Sequence, residues 1–265
     1  MRRKKCFARV DRLSGSRYTA FMESTEKTKA AIFDIDGTIF RKNLHFELIN
    51  ELSWLRVFPS HVRKTLVDLY SKWLTHTGTY QDYRIALIDL YARFLRGCTP
   101  EDVARAASSV VPFRERQTYI FAEDLIEKLR GDGYLLFAIS GSPMEIVSAY
   151  NRDYLHFDRV IGSVYEVGED GRYTGVASYE PSRDKGTAAR KLFEDYHLSF
   201  AESYGVGDTE SDIKFLELVE HPIAFNPNEN LKTVAEEKGW RIVVEKKDVV
   251  YEIDPRCYHA LPVRR

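Results

Sequence analysis

Residues 30–38 read Ala-Ala-Ile-Phe-Asp-Ile-Asp-Gly-Thr, an apolar run that leads directly into two aspartates. Residues 30–34, four apolar residues followed by Asp34, are typical of a short buried strand. Side chains two apart on an extended strand point the same way, so Asp34 and Asp36 are expected to share one face. Open α/β sheets bind their ligands at the carboxyl ends of their strands. The stretch therefore predicts the first strand of an α/β sheet with a site directly after it.

Two carboxylates on one face repel each other, and one pKa rises unless a cation neutralises the pair. The pair at Asp34 and Asp36 thus favours a hard metal ion such as Mg²⁺. A strand followed by an ordinary Asp-Gly turn is the alternative that this motif alone leaves open.

A second acidic motif, Gly207-Asp208-Thr209-Glu210-Ser211-Asp212, follows a different predicted strand. Its two aspartates, Asp208 and Asp212, lie one helical turn apart. If a parallel sheet brings this loop beside Asp34, up to four carboxylates meet at one crevice, which requires a divalent cation. Acidic residues at a helix start are also common as caps, so the motif has a purely structural explanation as well.

Two further positions are candidates for binding an anion. Ser140 ends the predicted strand LLFAIS and precedes Gly141 and a helix predicted to begin at Ser142, so a hydroxyl and free backbone N–H groups face the crevice. Such an arrangement binds phosphate oxygens. Lys185 opens another predicted helix and can hold an anionic substrate near an anionic nucleophile, although a single lysine is usually a solvated surface residue.

The pattern along the rest of the chain predicts the fold class. Strands and helices alternate from Lys29 onward, which favours a doubly wound parallel sheet covered on both faces. Residues 44–111 interrupt the alternation with apolar residues at helical spacing and Pro or Gly between the segments, which predicts four short helices. We therefore expect an α/β core with an all-helical insertion after its first strand.

The order DxDGT, serine at a strand end, lysine, and GDxxxD resembles the haloacid dehalogenase (HAD) superfamily, and in particular its subfamily IB, which contains phosphoserine phosphatase. The resemblance covers roughly residues 29–245. It implies a Rossmannoid core formed by residues 29–42 and 114–250, with a helical cap at 43–113 inserted between the first and second motifs.

The resemblance also implies the roles of the site residues. Asp34 would be the nucleophile that forms an aspartyl-phosphate, and Asp36 the general acid and then base. Ser140, Gly141 and Lys185 would hold the phosphoryl oxygens, and Lys185 would count among the catalytic residues.

For the metal, the resemblance implies Mg²⁺ as the cofactor. Its ligands would be the carboxylates of Asp34 and Asp208, the backbone carbonyl of Asp36, and Asp212 either directly or through water.

One position departs from the subfamily. Phosphoserine phosphatases carry a Glu about nine residues after the nucleophile, where this chain has Asn43, so phosphoserine is disfavoured as the substrate. Aromatic and basic side chains in the predicted cap face the substrate or serve packing, and none is assigned a binding role. These are Trp54, Arg56, Arg63, Trp73, Tyr80, Tyr83 and Arg84.

Composition restricts the partners. In 265 residues, 39 basic and 40 acidic side chains give a net charge of −1, which supplies no field to gather nucleic acid or an anionic membrane. No uncharged apolar run approaches the ~20 residues of a membrane helix. Three scattered cysteines suit neither a disulfide framework nor a zinc site, so a reducing cytoplasm is expected. The sequence leaves the oligomeric state open.

Both ends of the chain are expected to be tails, residues 1–28 and 251–265. Residues 1–21 are rich in arginine and lysine, which fits a flexible tail, an upstream start codon before Met22, or a targeting peptide.

The leading functional hypothesis is a Mg²⁺-dependent phosphatase acting on a small-molecule phosphate monoester. A phosphotransferase or phosphomutase would use the same chemistry with an acceptor hydroxyl in place of water. A receiver-like signalling domain and a phosphate-binding protein without turnover are the alternatives from other classes.

Overall fold

The computed structural model describes residues 29–114 and 116–254, so the predicted N-terminal tail lies outside the described residues. One sheet of eight strands runs through the molecule in the order β4-β3-β2-β1-β5-β6-β7-β8. The strands are β1 (Ala30–Phe33), β2 (Leu135–Pro143), β3 (Arg159–Val167), β4 (Tyr173–Tyr179), β5 (Tyr204–Gly207), β6 (His221–Phe225), β7 (Arg241–Lys246) and β8 (Val249–Ile253).

Strand β1 is central, and it pairs in parallel with β2 on one side and with β5 on the other. All its residues are buried, as the apolar run AAIF requires. The parallel register continues to β3 on one side and to β7 on the other, while β4 and β8 close the two edges with antiparallel pairs. Parallel pairing brings the carboxyl ends of β1, β2 and β5 to the same edge of the sheet.

The helices cover both faces of this sheet. They are α1 (Leu44–Trp54), α2 (His61–Leu74), α3 (Tyr80–Leu95), α4 (Pro100–Arg114), α5 (Ile120–Gly131), α6 (Met144–Tyr150), α7 (Lys185–Asp195), α8 (Ile213–Leu216) and α9 (Glu229–Lys238). The predicted Rossmannoid, doubly wound α/β fold is confirmed, and five helices, α1–α5, lie between β1 and β2, the first four of them within the predicted insertion. We refer to α1–α4 as the helical insertion.

Two hydrophobic clusters hold these layers together. One joins alternate residues of the central strands, such as Phe33 and Ala138, to α5, α6 and the helical insertion. The other joins the opposite residues of the same strands, such as Ile32 and Phe137, to α7, α8 and α9. Strand residues thus alternate between two buried faces, which is typical of a sheet covered on both sides.

Three details of the prediction are wrong. No capping box begins a helix at Ser142, because β2 runs to Pro143 and the Ser142 hydroxyl bonds to Asp36 instead. The spacing of apolar residues predicts an amphipathic helix over residues 114–130, but this helix begins only at Ile120, after a loop that pairs Thr118 with Phe40. Residues 251–253 belong to β8 rather than to a tail, because they pair with β7. Residues 255–265 lie outside the described part of the chain.

Among the described residues, no helix combines the length and the apolar character needed to cross a bilayer.

Candidate active site

Asp34 follows β1 directly and is buried beneath the carboxyl edge of the sheet. Its Oδ1 lies 2.5 Å from Nζ of Lys185, the first residue of α7. The same Nζ lies 2.5 Å from Oδ1 of Asp212. Lys185 is only 2% exposed, so a single buried ammonium bridges two carboxylates from different loops. The solvated surface lysine that the sequence left open is therefore excluded.

The pKa values of Lys185 and Asp34 depend on each other's charge. Burial alone would lower the pKa of Lys185, but the adjoining Asp212 and Asp34 outweigh burial and raise it. Burial raises the pKa of Asp34 to about 7. Repulsion from Asp212 and Asp36 also raises it, whereas the Lys185 ammonium lowers it. One ammonium is thus too little positive charge for the carboxylates gathered here.

Asp36 is held by a different set of partners. Its Oδ2 accepts hydrogen bonds from Ser140 Oγ at 2.8 Å and from Ser142 Oγ at 2.7 Å. Its Oδ1 accepts the backbone N–H of Leu44 at 2.5 Å, at the start of α1. Burial raises the pKa of Asp36, although these hydrogen bonds favour the ionised form. Asp34 and Asp36 therefore share the crevice but differ in their surroundings, which suits them to different tasks.

The second acidic motif lies beside Asp34, as the parallel pairing of β1 and β5 requires. One carboxylate oxygen from each of Asp34, Asp208 and Asp212 lies within 4.8 Å of the others. Gly37 adopts φ +92°, and a Cβ there would lie 2.2 Å from Oδ2 of Asp208. Glycine is therefore needed at this position of the DxDGT motif, both for the backbone conformation and for the approach of Asp208.

The donor set of this cluster fits a hard divalent cation. Oδ1 of Asp208 is buried and has no hydrogen-bond partner among the described residues. Burial and repulsion from Asp34 and Asp212 raise the pKa of Asp208 well above its ordinary value. Asp212 contributes differently, because its Oδ2 already accepts the backbone N–H groups of Asp208 and Thr209 at 3.0 Å. Carboxylate oxygens clustered in this way are the ligands that Mg²⁺ and Ca²⁺ prefer.

The carboxylates open into a cavity beneath the helical insertion. Besides the predicted residues Asp34, Asp36, Gly141, Lys185 and Asp208, its walls include Asn43, His45, Tyr80, Arg84 and Ser182. Ser140 is completely buried, and its hydroxyl is engaged by Asp36 and by the backbone N–H of Ser142. Five of the predicted site residues thus line one cavity, and the other two contact its lining, Ser140 through Asp36 and Asp212 through Lys185.

Sequence reasoning missed two polar residues here. Ser142 lies two residues after Ser140, and this alternation along an extended strand was the available signal for a second hydroxyl on the same face. His45 is 3% exposed, and burial lowers its pKa to about 3, so its imidazole is neutral. Its Nε2 has no partner among the described residues. No spacing rule in the sequence marks this histidine.

The aromatic and basic residues of the helical insertion divide into two groups. Trp73, Tyr80, Tyr83 and Arg84 line cavities that border the aspartates. Trp54 is 68% exposed and lies against the guanidinium of Arg63, away from these cavities. Arg56 is exposed as well.

Asn43 borders the cavity from the start of α1. Its Oδ1 accepts the backbone N–H of Phe46 at 2.9 Å and so caps the helix. The residue that departs from the phosphoserine phosphatase pattern therefore has a structural role as well as a place in the cavity wall.

The sequence is also similar to those of known proteins. The family model for haloacid dehalogenase-like hydrolases matches residues 31–217. A histidinol-phosphatase of Neisseria meningitidis is 26% identical over 229 residues, which is 80% of this chain and 97% of that protein. A probable phosphatase of Mycobacterium tuberculosis is 30% identical over 229 residues, or 81% of this chain and 74% of that protein.

Solved structures share the fold at lower sequence identity. A protein of unknown function from Bordetella pertussis Tohama I matches with a TM-score of 0.67 at 21% identity, covering 82% of this chain and 98% of that one. A phospho-aspartyl intermediate analogue of phosphoserine phosphatase matches with a TM-score of 0.56 at 21% identity, covering 84% and 96%.

Proposed function

The chain belongs to the haloacid dehalogenase-like hydrolase family, and on that premise we propose that it is a Mg²⁺-dependent phosphatase of small-molecule phosphate monoesters. One observation carries the proposal. A buried carboxylate, Asp34, lies between the Lys185 ammonium and the carboxylates of Asp208 and Asp212, at the floor of a cavity. Such a centre attracts a cation and, once neutralised, accepts a phosphate dianion.

We assign the metal to Asp34, Asp208 and Asp212, with the Asp36 backbone carbonyl as a further ligand. The unpartnered Oδ1 of Asp208 supports this assignment. When bound, Mg²⁺ supplies positive charge that lets an anionic nucleophile meet an anionic phosphoryl group.

In the first half of the reaction, Asp34 is the proposed nucleophile. One of its oxygens forms a bond to phosphorus while the bond from phosphorus to the ester oxygen breaks, which leaves an aspartyl-phosphate. Asp36 gives its proton to the departing alcohol oxygen. The raised pKa of Asp36 supports this role, because burial favours the protonated form that a general acid needs.

In the second half, Asp36 acts as the base. It takes a proton from the water whose oxygen attacks phosphorus, and the phosphorus–Asp34 bond breaks to release inorganic phosphate and the free carboxylate. The serine hydroxyls that donate to Asp36 favour its ionised form, which this half requires.

The phosphoryl oxygens are proposed to lie at the carboxyl-terminal part of β2, where its pairing with β3 becomes irregular between Ile139 and Pro143. Gly141 lines the cavity there, and Ser140 adjoins it. The Lys185 ammonium balances the charge of Asp34 and Asp212 as the phosphoryl group approaches.

A phosphotransferase or phosphomutase remains the second candidate, because an alcohol can replace water without any change in these residues. Residues 43–113 are the proposed cap over the core formed by 29–42 and 114–250. The cytoplasm is the proposed compartment, on the strength of the scattered cysteines.

The decisive experiment measures inorganic phosphate released from a panel of monoesters, including histidinol phosphate and phosphoserine. Wild type should release phosphate with Mg²⁺ and lose this activity with excess chelator. Asp34→Asn should lower kcat by at least about 10⁴-fold while it keeps the fold, because the nucleophile is gone. The control is Asp132→Asn, an exposed aspartate.

Turnover of Asp34→Asn comparable to wild type would refute the nucleophile, and full activity in chelator would refute the metal. Transfer of phosphate to an added alcohol in preference to water would favour the phosphotransferase.

A further inference from the structure

A second cavity of about 420 Å³ adjoins the catalytic one on the side of Asp36 and Asp208. Both cavities are bordered by Asn43, Tyr80 and Thr209, so the two spaces are direct neighbours. The volume is in the range of small-molecule sites. The Lys185 end of the crevice borders only the first cavity. The second cavity therefore lies beside the proposed general acid, where an ester's alcohol portion would be placed.

The wall that faces Asp36 and Asp208 is built from aromatic rings of three different helices, namely Phe46, Tyr70, Trp73, Tyr80 and Tyr83. The rings contact each other around Trp73. Its indole stacks on Tyr83 with centroids 5.8 Å apart, and it meets Tyr80 and Tyr70 edge-on at 5.2 and 5.4 Å. Trp73 is only half-buried, unlike the fully buried aromatics of the core. The cluster therefore offers ring surface to a ligand.

An independent observation also points to a ligand. Tyr83 is 4% exposed, and its hydroxyl is buried with no hydrogen-bond partner among the described residues. An unmade hydrogen bond at a buried hydroxyl costs free energy, and natural structures seldom leave one without reason. A polar atom on a bound molecule would supply the missing partner.

The basic side chains of this cavity are already paired with acidic ones. The Arg41 guanidinium forms an ion pair with Glu245 and lies over the ring of Tyr119 at 4.6 Å. Lys42 lies 3.7 Å from the carboxylate of Glu47. The cavity therefore selects for shape and aromatic contact rather than for a strong charge.

We propose that this second cavity binds the alcohol portion of the substrate, and that this alcohol carries a planar aromatic or heteroaromatic ring. Trp73 and its neighbours contact the ring, and the Tyr83 hydroxyl bonds to a polar atom on its edge. The inference rests on the proposed function, because it names the leaving group of the proposed reaction.

Binding of phosphonates, which cannot be hydrolysed, tests the proposal without turnover. Calorimetry in the presence of Mg²⁺ would compare 2-phenylethyl with 2-cyclohexylethyl phosphonate, and benzyl with cyclohexylmethyl phosphonate, so that size is matched within each pair. Wild type should bind the planar member about fivefold to tenfold more tightly, which is the size expected for one aromatic contact. The same preference should appear as a lower KM for the corresponding phosphate esters.

Four variants test which side chains produce the preference. Trp73→Leu should reduce it to less than twofold, whereas Trp73→Phe should retain it because a ring remains. Trp54→Leu, at the exposed tryptophan of α1, is the matched control and should leave it unchanged. Tyr83→Phe should weaken 2-(imidazol-4-yl)ethyl phosphonate severalfold while it leaves the phenyl compound unaffected.

Equal affinity for planar and saturated members would overturn the proposal, and so would a full preference in Trp73→Leu. If the protein prefers the rings but releases phosphate from no ester, the ring site stands and the proposed phosphatase activity fails. If it hydrolyses planar and saturated esters equally well, the activity stands and the ring site fails.

Discussion

Among the site residues, Asp208 has the least compensated charge. Asp34 and Asp212 share the Lys185 ammonium, and Asp36 accepts hydrogen bonds from two serines and a backbone N–H. Oδ1 of Asp208 has a partner of neither kind in the described part of the chain. A buried carboxylate without a partner destabilises the fold. A site of this kind therefore lowers the stability of the metal-free protein and raises its affinity for a cation.

Asp208→Asn should therefore stabilise the protein when metal is absent. The pKa of Asp208 is raised above its unfolded value of about 3.9. Ionisation of Asp208 thus costs more free energy in the folded state than in the unfolded state. This difference grows as the pH rises above the unfolded pKa. We expect the variant to gain about 1–2 kcal/mol in free energy of unfolding at pH 7.5 in chelator, and less at pH 5. Urea titrations at both pH values measure it.

Mg²⁺ should reverse this order. At a hundredfold excess over its Kd, a cation stabilises the wild type by about 2.7 kcal/mol, and the variant should gain little. Asp132→Asn at the surface should respond as the wild type does. A loss of stability for Asp208→Asn in chelator would contradict the interpretation of Asp208 as an uncompensated charge.

Much of the site could be predicted at this scale because its residues follow strands. Asp34 and Asp208 lie just after the ends of parallel strands, and Ser140 directly follows the last residue of β2 in regular parallel pairing. The sheet brings such positions together whatever the rest of the chain does. His45 and Arg84 could not be found in this way. They line the cavity from α1 and α3, and no local sequence pattern predicts the angles at which these helices pack.

At the scale of elements, α3 is the helix that brings the most side chains from the insertion to the site. Its first turns carry Tyr80, Tyr83 and Arg84. The helix begins with a capping box, in which the Thr79 hydroxyl accepts the backbone N–H of Asp82 and the Asp82 carboxylate accepts the N–H of Thr79. The cap therefore fixes the end of the helix that lies nearest to the aspartates.

Thr79→Ala should lower the free energy of unfolding by about 1 kcal/mol, which is usual for a lost N-cap. It should also raise KM by severalfold, because the first turn of α3 frays and the residues at the site lose their fixed positions. Thermal denaturation and steady-state kinetics measure the two effects.

Thr99→Ala is the matched control, since Thr99 caps α4 by the same contact with Asp102 but borders neither cavity. It should lose similar stability with KM unchanged. An equal rise of KM in both variants would mean that the effect comes from general destabilisation.

Strands and helices differed in how well their ends could be predicted. The apolar runs of β1 and β2 mark buried parallel strands clearly. The sequence Ser142-Pro143-Met144-Glu145 favours a capped helix locally, but the Ser142 hydroxyl instead donates a hydrogen bond to the half-buried carboxylate of Asp36. A hydrogen bond between residues so far apart in the chain cannot be predicted from a local sequence pattern. The β7–β8 pair was missed because β8 is an exposed edge strand with no apolar alternation.

At the scale of the whole molecule, the helical insertion does not have a core of its own. Leu48 of α1, Leu87 of α3 and Val103 of α4 belong to the same buried cluster as Phe33 of the central strand. The antiparallel strands β3 and β4 extend this connection. Backbone hydrogen bonds of 2.8 and 2.9 Å join Tyr173 to the loop between α3 and α4. The insertion and the sheet are therefore expected to fold as one cooperative unit.

Gly175 of β4 provides the test of this cooperativity. It adopts φ +79°, and a Cβ there would lie 2.5 Å from the backbone oxygen of Ala92 in α3. Gly175→Ala should cost about 3 kcal/mol, because it adds a clash between β4 and α3 to the strain of a positive φ. Gly171 has a similar φ of +75° with open space around it, so Gly171→Ala should cost only about 1 kcal/mol.

Both variants would be unfolded in a Trp240→Phe background, where the remaining tryptophans, Trp54 and Trp73, report only on the helical insertion. Circular dichroism reports on the whole molecule. If insertion and sheet are one unit, the two signals coincide in wild type, and Gly175→Ala shifts both by the same amount. An insertion that melts before the sheet in Gly175→Ala would show that the shared core is too weak to couple them, and that the helices over the aspartates can open independently.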